Sequence, residues 1–489
     1  MTTGTENTLI GALAGDALTD ADYNTANGYL ALSADTLGSR SVAIGRSALQ
    51  VQNFTTATNA YNVAIGFQAG DSVTTGVNNT LIGGTTGQSL TTGGENVAVG
   101  YGALYTDDLG SHNVAVGVSA LQNQNFATAT DSNNTAVGYS AGLSVTTGTE
   151  DTLIGALAGD ALTTGKENVA VGYRSLSGDT QGKRSIAIGK DALRVQNFTT
   201  ATEAYNVAVG HAAGEAVITG VENVFIGGLC GDATDDGGEC VAVGHQSLSA
   251  NCGSGNSALG RMALRDCTGQ HNTALGHQAG IEVTSGNDNT FVGKSAGSAV
   301  SSGSNNLILG HDAGITGSPG GNITTASNTM VLGDENISAA HIQVSLTVAS
   351  DERDKTDFVD LDLGLDFVKA LEPVTYYWDK RSKYGDKYII DEDGERVPNP
   401  DYDLTSYTPD GTHKEDWMDV GFKAQSVQAL EEAAGYKLSD KKNLTVSLSA
   451  DEKQYGLRYE KFIPILVKAI QDQDAIIQSL TARIAALES

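Results

Sequence analysis

Ser350 and Lys355 are the residues of this chain whose types and spacing suggest covalent chemistry. They bracket the charged hexapeptide Ser350-Asp351-Glu352-Arg353-Asp354-Lys355. A serine hydroxyl becomes a nucleophile only beside a base. A lysine serves as that base where burial lowers its pKa toward neutrality. Only a fold can set the contact between the two, and on composition alone the stretch reads as a charged linker. Cysteine is the other reactive type. Cys230, Cys240, Cys252 and Cys267 form no Cys-x-x-Cys pair. Cys252 and Cys267 fall eight and seven residues after the repeat glycines Gly244 and Gly260, so stacked coils would make them neighbours. The spacing suits buried thiols or a disulfide and does not suit zinc. No metal and no cofactor is expected.

The hexapeptide also divides two polymers of different character. Residues 1–349 hold 29 acidic and 11 basic side chains, and residues 350–489 hold 29 and 18. Both tryptophans, Trp378 and Trp417, lie on the C-terminal side. The net charge of −29 disfavours nucleic acid and anionic membranes, which reward basic patches. No run approaches the ~18 apolar residues of a membrane span, and no basic-then-apolar signal sequence opens the chain.

The first part is a repeat. Its unit is Asn-x-Ala-Val-Gly or a close relative, as in Asn96-Val97-Ala98-Val99-Gly100 and Asn113-Val114-Ala115-Val116-Gly117. The closing glycines run from Gly11 to Gly333, mostly 17 residues apart, and count nineteen units. The unit at Gly28 is degenerate. A fixed short period over this length means a solenoid. Alternation, Val/Ile content and Thr-Thr-Gly turns predict a strand in each unit. Both faces of that strand are apolar. One coil covers only its inner face, so the outer, small-residue face is expected to pack on copies of the chain. Stacking at ~4.8 Å per coil predicts a rod of roughly 90 Å. Every fourth coil carries an insertion around Phe54, Phe126 and Phe198, and these are expected to recur along one edge.

The repeat, over roughly residues 2–333, resembles the head repeats of trimeric autotransporter adhesins and the stalks of some bacteriophage tail fibres. Those adhesins carry a signal peptide and a membrane-anchoring barrel, and neither is visible here, which favours the phage side. From Ser350 onward the resemblance is to the endosialidase-type intramolecular chaperone domain of phage tailspikes and fibres, a self-releasing serine peptidase. It rests on Ser350-Asp351-x-Arg353-x-Lys355, on Leu371–Trp378, on Gly421-Phe422-Lys423-Ala424-Gln425 and on Tyr459–Ile470. An insertion over about 380–417 departs from the compact family pattern, and the sequence assigns it no role. The resemblance implies Ser350 as nucleophile, Lys355 as base, and Asp351 and Arg353 as supports of the cleavage loop.

The expected fold is therefore mostly β. A trimeric β-solenoid or β-roll of ~17-residue repeats spans 1–333. A connector follows over 334–349, and a small α/β chaperone domain over 350–489. Its closing helix, about 458–488, carries Ile463, Leu466, Ile470, Gln473, Ile477, Leu480, Ile484 and Leu487 at heptad spacing. Ile at a with Leu at d favours two strands in isolated coils, so the attached domain would have to set the number at three. The alternative is an amphipathic helix packed on its own domain. The implied function is a tail fibre that binds a host-surface receptor, a glycan. The implied partners are two further copies and other virion tail proteins, without nucleic acid or membrane insertion. The implied location is the virion tail, after synthesis in the host cytoplasm. Receptor contact is expected on the inserted loops or over His311–Asn328. Enzymatic activity would be limited to self-cleavage. A glycan-degrading tailspike and a bacterial trimeric adhesin are the competing readings; the first needs paired carboxylates that the repeats do not offer.

Overall fold

The computed structural model describes residues 3–343, 346, 348–390 and 396–488. The connector residues 344, 345 and 347 and the insertion residues 391–395 lie outside the described residues. Two compact units divide between Ser295 and Ala296.

The first unit is a β-solenoid. A three-residue strand recurs in each coil from Thr8–Ile10 to Thr290–Val292. Successive strands pair in parallel with equivalent residues opposite one another: Val97, Ala98 and Val99 face Val114, Ala115 and Val116. The degenerate unit at Gly28 also forms its strand, Thr25–Asn27, in register with both neighbours.

Two columns hold the register. The asparagine opening each unit is buried. Asn96 Oδ1 accepts from the backbone N–H of Asn113 at 3.0 Å, and its Nδ2 donates to the carbonyl of Gly110 at 3.0 Å. Asn79 repeats the pattern with Asn96 N and Gly93 O. One side chain thus satisfies a donor in the next coil and an acceptor in the turn of its own coil. The glycine closing each unit forms the second column. Gly100 has φ +137°, and a Cβ there would run into the carbonyl oxygen of Gly117. Only a residue without a side chain lets the coils approach this closely.

The expected orientation of the strands is corrected. The small residue at the strand centre points inward: Ala98, Ala115 and Ala170 are fully buried. The Val and Ile on either side point outward, and Val97, Ile154 and Ile188 are exposed. The reason is volume. The coil interior is filled from the opposite wall by Leu104, Leu121 and Leu176, six residues after those alanines. Where the strand centre is large, the wall gives way: Leu81 is followed by Gly87 and Phe225 by Gly231. A Cβ on Gly87 would lie 2.9 Å from Leu81 Cδ2. Large and small residues thus exchange places across a core of constant width. It is the apolar outer face, not a small-residue one, that lacks a partner.

The insertions are tied in. Phe54, Phe126 and Phe198 are buried, and beneath each lies a buried carboxylate–amide pair. Gln52 Nε2 donates to Asp35 Oδ2 at 2.6 Å, Gln124 to Asp107 at 2.7 Å and Gln196 to Asp179 at 2.6 Å. All four cysteines are free and buried. The closest thiols are Cys240 and Cys252, whose Sγ atoms lie 3.9 Å apart, rather than Cys252 and Cys267. Burial raises the Cys230 thiol to about 11 and the Cys267 thiol to about 12.

Asp151 replaces asparagine in the buried column. Its Oδ1 accepts from Asn168 N at 2.9 Å, while Oδ2 is buried without a partner. Burial raises this carboxyl to about 8. The folded chain therefore holds a proton here that the unfolded chain releases near pH 4, and stability falls as pH rises from about 4 to about 8. Asp151→Asn should stabilise the solenoid by about 1–3 kcal/mol. Thermal denaturation should show a larger gain at pH 8 than at pH 5; an equal or reversed gain would contradict the buried-proton account.

Candidate functional site

The second unit opens with the paired strands Leu307–Leu309 and Met330–Leu332. Beyond Ser350 come helix α1 (Leu365–Ala370), the antiparallel pair Val374–Tyr376 and Asp419–Gly421, helix α2 (Ala424–Ala433), the hairpin Val446–Leu448/Tyr455–Leu457, and helix α3 (Phe462–Glu488). Leu363, Phe367, Val427, Val446, Phe462 and Ile465 form the core. Within it, Glu431 is buried and accepts from Thr445 N at 2.6 Å and Leu444 N at 3.2 Å, which fixes α2 to the hairpin. Asp472 on α3 accepts from Leu365 N at 3.2 Å, capping α1.

The structure brings the four expected site residues together. Asp351 starts a single 3₁₀ turn, Glu352–Asp354, and its Oδ1 accepts from Arg353 N at 2.9 Å. The Arg353 guanidinium pairs with Asp351 Oδ2 at 2.6 Å. The hydrogen bonds from Arg353 hold the Asp351 carboxyl below its ordinary range. The turn reverses the chain enough for Lys355 Nζ to donate to Ser350 Oγ at 2.6 Å and to Ser350 O at 3.0 Å. A hydroxyl and an amine are thus in direct contact.

The site is open to water. Ser350, Lys355 and every residue between them are exposed. So are the apolar residues that flank them: Leu346 and Val348 before, Phe358 and Val359 after, with Val359 89% exposed. A lysine becomes a base when burial removes its proton. The contact geometry is present here without that burial.

The insertion, silent in the sequence, grips the connector. Lys387 pairs with the buried Glu335 carboxylate, Lys380 Nζ donates to Glu335 O at 2.9 Å, and Lys383 bonds Asn336. Arg381 Nη2 donates to Lys453 O at 2.7 Å, joining the insertion to the hairpin. A cavity of about 970 Å³ lies behind these contacts, walled by Ile337, Tyr376, Trp378, Phe422 and Tyr459. Neither Ser350 nor Lys355 lines it.

Helix α3 resolves its two alternative roles by face. Phe462, Ile465 and Ala469 are buried on the domain. The heptad residues Ile463, Leu466, Ile470, Ile477, Leu480, Ile484 and Leu487 are all exposed, as is Gln473. The helix packs on its own domain only at its base, through a different face.

Residues 350–436 match the protein family described as chaperone of endosialidase, and the match begins on Ser350. It implies self-cleaving, intramolecular chaperone activity for this domain. No curated protein and no solved structure matches the chain. Among the described residues, no helix is long and apolar enough to cross a membrane, and no cluster of His, Cys, Asp or Glu is arranged for a metal ion.

Because Asp351 caps the turn that sets the Ser350–Lys355 contact, Asp351→Ala should weaken that turn by about 1 kcal/mol. Release of the C-terminal piece should slow about fivefold, followed on a denaturing gel over time. Glu352→Ala, on the same turn without a role in the cap, should cleave at the parental rate. Equal rates in both variants would remove Asp351 from the loop.

Proposed function

We propose that the chain is a phage tail fibre whose C-terminal domain assembles three copies and then cuts itself away beside Ser350. The observation that carries this reading is a coincidence. The family match starts at a serine, Ser350, whose hydroxyl receives a hydrogen bond from a lysine five residues on.

Chemically, Lys355 takes the proton of Ser350 Oγ, and the oxygen attacks the carbonyl carbon of the neighbouring peptide bond. The proton then passes to the leaving amine, and water later hydrolyses the ester. Asp351 and Arg353 keep the loop closed. Neutral lysine is required, and in the single chain Lys355 is exposed. Assembly supplies the missing burial: the apolar flanks Leu346, Val348, Phe358 and Val359 pack against neighbouring copies and exclude water around the dyad. Cleavage is thereby timed to follow trimerisation. The exposed heptad face of α3 and the exposed Val/Ile face of the solenoid support the same assembly, each being an apolar surface without a partner in one chain.

Near-identical coils make register the problem of assembly, since chains displaced by one coil still bury most of the same surface. The chaperone domain joins the copies first and aligns them. After release, the rod has lost its template and persists kinetically. Host attachment, other tail proteins as partners and a place in the virion belong to this same reading.

Freshly expressed wild type should run as pieces of about 349 and 140 residues on a denaturing gel. Ser350→Ala and Lys355→Met should run at full length and still scatter light as trimers. Cleavage that survives in both variants removes the dyad from the mechanism. A monomeric full-length variant with a folded solenoid removes the chaperone role.

A further inference from the structure

The residue following each repeat glycine forms a column of its own. Its carbonyl accepts from the residue two places after the next glycine, coil after coil: Ser47 N to Tyr29 O at 2.9 Å, Gln68 N to Arg46 O at 2.9 Å, Thr85 N to Phe67 O at 2.8 Å, Ser119 N to Tyr101 O at 3.0 Å. These bonds and the glycine column beside them hold the positions in line.

The side chains in that line are not random. From Tyr29 onward they read Tyr29, Arg46, Phe67, Gly84, Tyr101, Val118, Tyr139, Ala156 and Tyr173. An aromatic ring stands on every second coil, which is ~10 Å apart at one strand spacing per coil. All five rings are exposed, Tyr101 at 64% and Tyr139 at 61%. Tyr101 lies against Gly84, where no side chain displaces it, and the Arg46 guanidinium sits 5.4 Å from the Phe67 centroid. The line continues through Lys190, His211, Gly228, His245, Arg261, His277 and Lys294. In a region with 29 acidic and 11 basic residues, this column from Gly11's neighbour to Lys294 carries no acid and four of the cations. The composition at this one position is the reverse of the chain's.

We propose that this column is a binding strip for a linear polysaccharide that carries carboxylates. Flat rings stack on the apolar faces of sugars. Rings on alternate coils match the length of a disaccharide in an extended chain, so a polymer with a disaccharide repeat meets every ring in the same phase. Eight coil steps from Gly28 to Gly172 give the aromatic strip a length of ~38 Å, enough for several sugars. The cationic continuation supplies charge complementarity to the carboxylates; within it Lys190 is paired with Asp191 at 3.5 Å. Receptor contact thus falls on the regular wall of the coils rather than on the inserted loops, whose phenylalanines are buried. The inference rests on the receptor-binding part of the function proposed above and is independent of self-cleavage.

The test is calorimetric titration of the protein as purified after expression of the full chain, with size-defined hyaluronan, polygalacturonate and alginate fragments, and with a cello-oligosaccharide as neutral control. At least one acidic polymer should bind more tightly than the neutral one and lose affinity as salt rises. Tyr101→Ala/Tyr139→Ala should weaken it at least tenfold, and Arg261→Ala/Lys294→Ala should flatten the salt dependence. Light scattering and the cleavage gel should be unchanged in both variants. Binding of none of the three acidic polymers, equal binding of the neutral one, or indifference to the tyrosine pair would overturn the strip. A changed oligomeric mass in the tyrosine variant would also overturn it, assigning the column to contacts between copies. Wild type that fails to split or trimerise leaves the titration readable, so the two readings fail separately.

Discussion

The structure of the first unit depends on coils being stacked in register at strand spacing, and two residues per coil enforce this. The buried asparagine bonds upward to the next coil and across to its own turn. The glycine permits carbonyl and Cα to meet where any side chain would intervene. A polar group buried without partners costs free energy comparable to a lost hydrogen bond. An asparagine column displaced by one residue would strand a donor and an acceptor in every coil at once. Register within the chain is therefore fixed many times over, and the lines of side chains on the outer wall inherit that order.

On the proposed assembly, the same regularity would leave the register between chains open. What varies along the solenoid is volume and insertion. Large strand centres at Leu81, Leu153 and Phe225 meet glycines at Gly87, Gly159 and Gly231, but these exchanges are internal. They stabilise each coil without informing a neighbour. The insertions repeat only every fourth coil, with buried aspartate–glutamine pairs beneath them. On the proposed assembly, markers so widely spaced would penalise a slip only after long stretches had already paired, which is why alignment by a separate domain has physical value.

The period, the strands and the solenoid were legible because a glycine every 17 residues leaves room for little else. The inward direction of alanine was not. Alternation says that two faces exist, and which one is inner depends on the leucines six residues on, outside the window of the motif. The asparagine was visible as part of the repeat, but its role appears only when the next coil supplies a backbone N–H. In the second unit, Ser350 and Lys355 were named from the resemblance of their hexapeptide, since composition alone reads as a charged linker, and the turn that joins them follows from Asp351. The insertion was opaque. Its lysines act on Glu335 and Asn336, some fifty residues away, and no local pattern encodes that distance. The heptad on α3 was read correctly as a pattern, whereas the packing face Phe462, Ile465 and Ala469 lay hidden in the same apolar helix.

The dyad sets a condition on when chemistry can occur. A lysine amine in water keeps its proton, and a serine beside an ammonium group is a poor nucleophile, so the observed contact alone does not make a peptidase. The charge must be desolvated, and the apolar residues on both flanks of the turn are the means at hand. They are solvated in one chain, as are the heptad face of α3 and the Val/Ile face of the coils. If one association event covers all three, assembly and the chemistry of the dyad are linked: each gains from the other. Premature cutting would discard the aligning domain before the coils had paired. On the proposed mechanism, a dyad that waits for neighbours to exclude water would forbid that order of events without any further regulator.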